Sequence, residues 1–513
     1  MSLFLLAVLP IIFLIGALVI LKMPGHKASP LAMIITIIEA LFIFKKPFTE
    51  VFTGTIEGFI MAIWPICLVI IAAVFTYNLV VYTKNIEIIK DMLSSISMDK
   101  RILVLIIAWG FGAFMEGMAG FGTAVAIPAS ILMGLGFDPF FAAVVCLVAN
   151  TTPVAFGSIG VPEITAAAIT GLDAYTIAIY AIIQTTVMSI IVPFMLVCIT
   201  GKYSGKNILE TYKDIWLIIL ASGVSFVGLQ YFTAVFVSPE LPSIIGAIGC
   251  MAVITVLAKV LKINNPNFSL ETPKKTVTIN LKQAFIAWSP FVFVLVFLVF
   301  TSSLVPIVNQ TLAKVRSSVI IYSGEDARPY VFSWLSTPGI QIIVAAFLGG
   351  LVQKCSIKEI TSVFIKTARQ MLKTIVTIMS VIAAAKVMGY CGMIEIMAKF
   401  IVNITGSFYP LVAAFLGSVG TFVTGSATSS VVLFAKLQYS AAATLNNDFT
   451  WLVASNITGS TAGKMISPQS IAVAIVAVGI PGAESKIFTE VIKYYILFVI
   501  IYGLVIYFRM EIF

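Results

Sequence analysis

GAFMEGMA at residues 112–119 and GTFVTGSA at residues 420–427 are two copies of one pattern, and this pattern decides the fold. Both copies read Gly-x-Phe-x-x-Gly-x-Ala. Each is followed by an apolar segment and then by a second pattern, Asn-x-Thr-x4-Gly-x4-Pro, which begins at Asn150 and at Asn456. The offset between Gly117 and Gly425 is nearly the same as that between the two asparagines. Ordered matches at one offset indicate a duplicated unit.

The composition identifies the environment in which this unit works. Hydrophobic residues make up 60% of the chain and charged residues only 10%, and the mean hydropathy is +1.09. Soluble domains carry roughly 25% charged residues, so the sequence predicts a polytopic protein of the lipid bilayer. The net charge of +9 is concentrated in short connections between apolar segments, which is typical of cytoplasmic loops and argues against nucleic-acid binding. No cofactor and no metal-ligand cluster are indicated.

The spacing of apolar runs predicts an all-α fold of about 12 transmembrane helices, because a helix needs about 20 residues to cross the bilayer core. Glycine and proline interrupt some runs early, which predicts a re-entrant hairpin and a broken helix in each copy. The predicted order is N-terminal transmembrane helices at 1–55, repeat 1 at 56–200 with hairpin 102–136 and broken helix 140–170, connecting helices at 201–370, and repeat 2 at 371–513 with hairpin 408–444 and broken helix 449–480.

The distribution of basic residues predicts that the two repeats are inverted. The amphipathic stretch 84–101 of the first copy carries four basic residues, whereas its counterpart between Tyr390 and Tyr409 carries only Lys399. The positive-inside rule places the first in the cytoplasm and the second outside. Counting spans from an external N-terminus also puts the basic connections 202–213, 259–282 and 354–373 inside. Lys45 and Lys46 fall outside on this count, against the rule.

The repeated patterns predict a small-anion site near the middle of the membrane. Irregular backbone at that depth is tolerated where it lines a cavity, and paired broken helices mark the central site of transporters. The hairpin tips 116–123 and 424–430 should meet the breaks 150–157 and 456–463. Helix starts and hydroxyl groups there suit a carboxylate. The candidate substrate-binding residues are Gly117, Gly120, Gly122, Asn150, Thr151, Thr152, Thr424, Gly425, Ser426, Thr428, Ser429, Ser430, Asn456, Thr458, Lys464 and Ser467.

Two ionisable residues lie inside the motifs, and charges within spans are usually functional. Glu116 is the predicted site of the coupling proton, and Lys464 is predicted to attract the substrate carboxylate or to pair with Glu116. A purely structural Glu116–Lys464 pair is the alternative. Glu39 is a weaker candidate for proton relay, and Lys386 is assigned a structural role. His26, the single histidine, is placed in a polar loop.

The motifs resemble those of the bacterial L-lactate permease family. The resemblance is carried by residues 111–123 and 150–157 in the first unit and by 424–430, 458–459 and 463–472 in the second. It implies secondary transport of L-lactate and related 2-hydroxymonocarboxylates such as glycolate, coupled to protons, in the bacterial cytoplasmic membrane. The paired breaks and hairpins are also similar to those of the wider ion-transporter superfamily. Some relatives carry an acidic residue where this chain has Ala427.

Three alternatives to proton symport stay open from the sequence. Hydroxyl and backbone oxygens at the breaks would also suit sodium, so a sodium-coupled carboxylate transporter is the second interpretation. A membrane-embedded enzyme is disfavoured because no nucleophile with a base is evident. An anion channel is disfavoured by the enclosed position predicted for Glu116. The 2-hydroxyl group of the substrate is expected to contact Asn150 or Asn456. Whether the chain forms a homodimer is left open.

Overall fold

Long apolar helices make up most of the molecule. The computed structural model describes residues 2–21, 23–120, 122–263, 265–270, 280–302, 304–325, 327 and 329–509. In these ranges eleven helices are long and apolar enough to cross a membrane, or twelve when one bent pair is counted as a single span. The prediction of an all-α polytopic protein with about 12 spans is therefore confirmed.

The N-terminal half contains both the first hairpin and the first broken helix. Its helices are α1 (Ser2–Val19), α2 (Gly25–Phe42), α3 (Phe48–Met61), α4 (Leu68–Tyr82), α5 (Asn85–Ser94), α6 (Lys100–Val104), α7 (Gly112–Met118), α8 (Thr123–Gly134), α9 (Pro139–Ala149), α10 (Gly157–Thr170), α11 (Ala174–Tyr203) and α12 (Ile208–Tyr212). π-Helical turns at Ala62–Cys67 and Leu105–Phe111 join α3 to α4 and α6 to α7. A 3-10 turn at Thr152–Phe156 joins α9 to α10.

The C-terminal half repeats this order after a set of connecting helices. Its elements are α13 (Trp216–Phe236), α14 (Pro242–Val260), α15 (Leu281–Thr301), α16 (Pro306–Ala313), β1 (Arg316–Ile320), β2 (Pro329–Ser333), α17 (Pro338–Val352), α18 (Ile357–Tyr390), α19 (Met393–Thr405), α20 (Tyr409–Thr424), α21 (Ala427–Leu445), α22 (Phe449–Ile466), α23 (Pro468–Val478) and α24 (Glu484–Tyr507). Short 3-10 turns lie at Pro266–Phe268 and Gly406–Phe408. The predicted basic connection 259–282 falls partly outside the described residues.

An aspartate starts each broken helix. The side chain of Asp138 accepts a hydrogen bond from the Phe141 amide (2.8 Å) at the start of α9. Asp448 accepts from the Thr450 and Trp451 amides (2.9 and 3.0 Å) at the start of α22. Such caps satisfy backbone donors that the first helical turn leaves free. The two units therefore begin their broken helices with the same local chemistry.

The two broken helices differ in where they break. In the first, α9 ends at Ala149, and Ser158, Ile159 and Gly160 have left-handed backbone angles. In the second, α22 runs without interruption to Ile466, and the chain bends by 44° between α22 and α23 at Ser467. The predicted break at 456–463 was therefore wrong, while the broken span within 449–480 is present.

Close packing between helices explains the glycines of the second pattern. Helix α22 lies in the centre of the second unit, and residues 451–466 are all buried. A methyl group at Gly459 would overlap the Ala414 carbonyl oxygen, and one at Gly463 would overlap the Ser418 carbonyl oxygen, both on α20. Small residues let helix backbones approach in this way. These glycines bring α20 against α22 and do not interrupt the helix.

Several segments between the membrane spans form regular structure. The basic stretch 354–373 and the following span form one helix, α18, of 34 residues. The long connection 306–335 contains α16 and an antiparallel β-hairpin in which Ser318 pairs with Val331. His26 lies in the first turn of α2 and not in a loop. The predicted amphipathic stretch after α4 forms α5, which buries Ile86, Ile89 and Leu93.

Some basic residues are paired inside the molecule. Arg101 is fully buried, and its Nη2 atom lies 2.7 Å from Asp99 Oδ2. Lys46 lies 3.6 Å from Glu50 and lines a small crevice together with Tyr390 at the end of α18. Lys46 thus belongs to the end of the molecule that the charge pattern places outside. Its pairing with Glu50 compensates part of the positive charge that conflicts with the positive-inside rule.

Candidate functional site

The tip of the second hairpin is built from a glycine and a serine. Gly425 ends α20 in a left-handed conformation, with φ of 69°, which a residue with a side chain rarely adopts. Ser426 then caps α21, its hydroxyl oxygen accepting from the Ser429 amide at 3.3 Å. The start of the 19-residue helix α21 therefore lies at the tip. Such a helix start attracts an anion.

Both hairpin tips line one partly open space, which we call the tip cavity. It has a volume of about 230 Å³. The first hairpin contributes Gly122, and the second contributes Thr424, Gly425, Ser426 and Ser429. Other lining residues come from α2, α18 and the second broken helix and include His26, Ser29, Lys373, Thr374, Thr377, Lys464, Gln469, Ser470 and Val473. Gly122 of the first hairpin and the tip of the second hairpin thus face one cavity, whereas the first break at 150–157 does not line it.

Lys464 provides the positive charge of this cavity near the hairpin tip. Its side chain comes from the last turn of α22, and its Nζ atom donates to the Gly425 carbonyl oxygen at 2.9 Å. The residue is only 6% exposed. Within the described part of the chain no ion pair joins it to Glu116, so the predicted structural pair between these two residues is wrong. A largely buried ammonium group beside a helix start is suited to bind a carboxylate.

Glu116 lies on the other side of the first hairpin tip. Its Oε1 atom is 2.8 Å from the position that a methyl group at Gly157 would occupy, so the carboxylate packs directly against the first break. Ser158 adds a second contact between the break and the hairpin, its hydroxyl donating to the Ala119 carbonyl oxygen at 2.9 Å. Gly157 and Gly120 therefore provide the space in which the Glu116 side chain lies.

Several buried polar groups near the first break lack hydrogen-bond partners among the described residues. They are Glu116 Oε2, both amide atoms of Asn150 and of Asn456, and the Thr152 hydroxyl. The turn that carries Asn150 and Thr152 packs against α7, which carries Glu116, and against α22, which carries Asn456. We call these four residues the inner polar cluster. Because buried polar groups almost always have partners, this cluster is suited to bind water, an ion or a polar ligand.

The remaining predicted site residues make contacts within the protein. Thr151 donates to the Val148 carbonyl oxygen (3.0 Å), Ser430 to that of Gly417 (2.6 Å), and Thr458 to Gln184 Oε1 (2.8 Å). Ser467 bonds to the Ser470 hydroxyl at 2.8 Å where α22 and α23 meet. Gly117 packs against α14, and Thr428 lies buried in the first turn of α21. These six residues lie outside the lining of the tip cavity in this conformation.

Several functional candidates were missed by sequence reasoning. Glu57 binds Lys386, with 2.7 Å between its Oε1 atom and the lysine Nζ atom. Glu163 is fully buried, and both its carboxylate oxygens lack partners among the described residues. Both lie within apolar helices, and an acidic residue at that position is a recognisable signal in the sequence. His26 and Lys373 gave no such signal, because they reach the tip cavity only through the packing of α2 and α18.

Comparison with known proteins identifies the family. Residues 3–513 match the family model described as L-lactate permease. The chain belongs to the L-lactate permease family. An L-lactate permease of Streptococcus iniae is 44% identical over 88% of this chain and 93% of that protein. Glycolate permease GlcA of Escherichia coli K12 is 36% identical, and the L-lactate permease of the same strain 35% identical, each over 98% of this chain and 94% of the relative.

Membership of the L-lactate permease family makes the chain a transporter and not an enzyme. Together with its spans, it indicates a multi-pass protein of the bacterial plasma membrane. Among solved structures, the YdaH transporter of Alcanivorax borkumensis, described as having an unusual topology, aligns with a TM-score of 0.52. The alignment covers 94% of this chain and 99% of YdaH at 11% sequence identity, so it supports the fold alone.

Proposed function

We propose that this permease takes up L-lactate and related small 2-hydroxymonocarboxylates, including glycolate, by proton symport, with alternating access to a site between the hairpin tips. The observation that carries this proposal is the tip cavity, where Lys464 and the start of α21 face one small space. Its volume of about 230 Å³ is below the roughly 300–1,000 Å³ of drug-sized ligand sites and suits a small acid. The names of the relatives, L-lactate permease and glycolate permease, agree with this substrate class.

The carboxylate of the substrate is assigned to the second hairpin tip. There the Lys464 ammonium group, the backbone amides at the start of α21 and the Ser426 and Ser429 hydroxyls all provide donors. In the structure Lys464 donates to Gly425, so an incoming carboxylate exchanges a neutral acceptor for a charged one. The bond to Gly425 is already charge-assisted through the ammonium group, and a carboxylate adds the attraction of its full negative charge. That difference favours binding of the anion.

The coupling proton is assigned to Glu116. Its carboxylate is enclosed between the first hairpin tip and the first break, and the residue is 3% exposed. Binding of a proton there neutralises a buried charge and changes the contact between the two elements. Because the same hairpin tip also lines the tip cavity through Gly122, protonation at Glu116 can affect the shape of the anion site.

Sodium coupling is the second candidate, and the inner polar cluster supports it. Two amide oxygens, a hydroxyl and a carboxylate oxygen that lack partners lie on elements that pack together, and oxygen atoms of these kinds bind hard cations. Asn150 and Asn456 do not line the tip cavity in this structure. For this candidate we therefore assign their amide groups to the coupling cation in preference to the 2-hydroxyl group of the substrate.

Reconstituted vesicles test the proposed function directly. Purified protein is placed in proteoliposomes, and uptake of labelled L-lactate is followed under an inward proton gradient alone or an inward sodium gradient alone. We expect accumulation above equilibrium with the proton gradient and competition by unlabelled glycolate. Accumulation that requires the sodium gradient and does not respond to the proton gradient would establish sodium coupling instead. Absence of lactate uptake under either gradient would refute both.

A further inference from the structure

A second cavity lies beyond the tip cavity along the same two helices, and we call it the outer cavity. Its volume is about 570 Å³. Residues 373–381 of α18 contribute to the tip cavity, and residues 382–390 contribute to the outer cavity. On α21, Ser429 lines the first and Lys436 the second, which is about 10 Å further along the helix axis. The two spaces thus follow each other toward the end of α18 that the charge pattern predicts to be external.

An ion pair inside the membrane domain lines this cavity. Lys386 Nζ lies 2.7 Å from Glu57 Oε1, and the Tyr390 hydroxyl contacts both carboxylate oxygens of Glu57 at 3.0 Å. The Glu57 residue is 6% exposed, whereas 19% of the Lys386 side chain is accessible. Lys386 is therefore the more accessible member of the pair, and both residues line the cavity. Removing one member of a buried pair is costly, but the Tyr390 hydroxyl still donates to Glu57 when Lys386 binds another carboxylate.

A second lysine faces the same space from α21. The Lys436 ammonium group lies 4.7 Å from the centre of the Tyr439 ring, and both residues line the outer cavity. Glu395 also lines it, and its Oε2 atom is buried without a partner among the described residues. Among the residues that the structure describes, the charged groups of the outer cavity are two lysines on α18 and α21 and two glutamates on α3 and α19.

The β-hairpin encloses this cavity on its outer side. Tyr330 of β2 lines the cavity, and its hydroxyl donates to the Trp64 carbonyl oxygen. Tyr322, in the connection between the strands, stacks on Tyr390 with 3.6 Å between ring centres. The Tyr322 hydroxyl also lies 3.1 Å from Glu50 Oε2. The hairpin is therefore attached to α3 and to the same tyrosine that contacts Glu57.

We propose that the outer cavity is a second carboxylate-binding site, which receives the anion from the external side before it reaches the tip cavity. Lys386 exchanges the carboxylate of Glu57 for that of the anion, Tyr390 keeps its hydrogen bond to Glu57, and Lys436 provides the second positive charge. The identification of the anion as a small monocarboxylate relies on the proposed function. The site itself relies on the two lysines, the ion pair and the enclosing hairpin.

Sided transport measurements test this site. Uptake is measured in right-side-out and inside-out membrane vesicles for wild type, Lys386→Met and Lys436→Met. Lys399→Met is the matched control, since Lys399 is an exposed lysine on α19 outside the cavity lining. We expect each cavity variant to raise the half-saturating external L-lactate concentration about tenfold, the order expected for loss of a charge-assisted hydrogen bond. The half-saturating cytoplasmic concentration should change less than about twofold. If the cavity variants have the same half-saturating external L-lactate concentration as Lys399→Met, the proposal is overturned.

Two further measurements keep the test decisive. Lys386→Met leaves Glu57 buried without its partner and can impair folding, so Lys386→Met combined with Glu57→Gln removes both charges together. We expect the same rise in the external half-saturating concentration for this double variant. Calorimetric titration of purified wild type and variants with L-lactate, glycolate and acetate separates the two proposals. Carboxylate binding that depends on Lys386 and Lys436 without any transport would refute the proposed function and retain the site. Transport and carboxylate binding that are unchanged in the Lys386 and Lys436 variants would refute the second carboxylate-binding site.

Discussion

The Nζ atom of Lys464 lies 2.9 Å from the carbonyl oxygen of Gly425, so the last turn of α22 is bonded to the tip of the hairpin in the same unit. Gly425 needs its left-handed conformation to end α20, and the resulting turn directs its carbonyl oxygen at the lysine. This contact connects the two elements of the second copy of the duplicated unit. It also places a cation at the start of α21.

The role of Lys464 can be tested by removing its charge. Lys464→Met should reduce the apparent affinity for L-lactate at least about tenfold, because a charge-assisted contact to the carboxylate is lost. Lys464→Arg keeps the charge and should retain part of the affinity. Lys366→Met, at an exposed position on α18, is the control and should behave as wild type. The apparent affinities are measured by competition of unlabelled against labelled L-lactate in proteoliposomes. Equal affinities for Lys464→Met and the control would contradict the assignment.

The role of Glu116 can be tested by separating exchange from accumulation. Glu116→Gln preserves the size of the side chain but cannot bind and release a proton. We expect exchange of labelled for unlabelled L-lactate to persist and accumulation driven by a proton gradient to stop. Glu210→Gln, at an exposed site on α12, provides the control. Undiminished proton-driven accumulation by Glu116→Gln would exclude this residue as the coupling site.

The close contact between α20 and α22 predicts a large effect of a small substitution. A methyl group at Gly459 would overlap the Ala414 backbone, so Gly459→Ala should lower the free energy of unfolding by about 1–3 kcal/mol. Gly134→Ala is a matched control, because no atom lies within 4 Å of the added methyl group at this helical glycine. Thermal unfolding in detergent should show a lower Tm for Gly459→Ala only. A Tm equal to that of wild type would show that the helices do not approach this closely.

Glu240 predicts a pH dependence of stability. It lies between α13 and α14, and burial raises the pKa of its carboxyl group from 4.5 to about 7. The folded state therefore binds the proton more tightly than the unfolded state, and this contribution to stability is lost as the pH rises from about 4.5 to about 7. Glu163 is the ionisable neighbour of this group. Glu240→Gln should unfold at nearly the wild-type temperature at pH 5 and at a higher one at pH 8. If the unfolding temperatures of Glu240→Gln and wild type differ by the same amount at pH 5 and pH 8, this account is refuted.

Much of the architecture follows from local sequence signals. Apolar length predicted the spans, and the glycines at 120, 122 and 425 predicted the hairpin tips, because the backbone there needs conformations that other residues avoid. The break predicted at 456–463 was wrong, because a glycine can serve close helix packing as well as interrupt a helix. Periodicity in the sequence does not distinguish these two uses.

The site was predictable in part. The tip residues that line one cavity were found from the repeat, and so was Lys464. The pair of Glu57 and Lys386 joins residues 329 positions apart, and their contact depends on how α3 packs against α18. Similarly, His26 and Lys373 come together at the tip cavity only through the packing of α2 on α18. Such contacts between distant positions follow from tertiary packing and not from motif spacing.

The central claim is that the substrate carboxylate binds between the two hairpin tips. A cryo-electron microscopy reconstruction of the protein with saturating L-lactate tests it most directly, by comparison with a reconstruction of the same preparation without L-lactate. The account predicts added density in the tip cavity, with the carboxylate within hydrogen-bond distance of Lys464 Nζ and the first amides of α21. Added density that leaves this cavity empty and lies elsewhere in the molecule would contradict it.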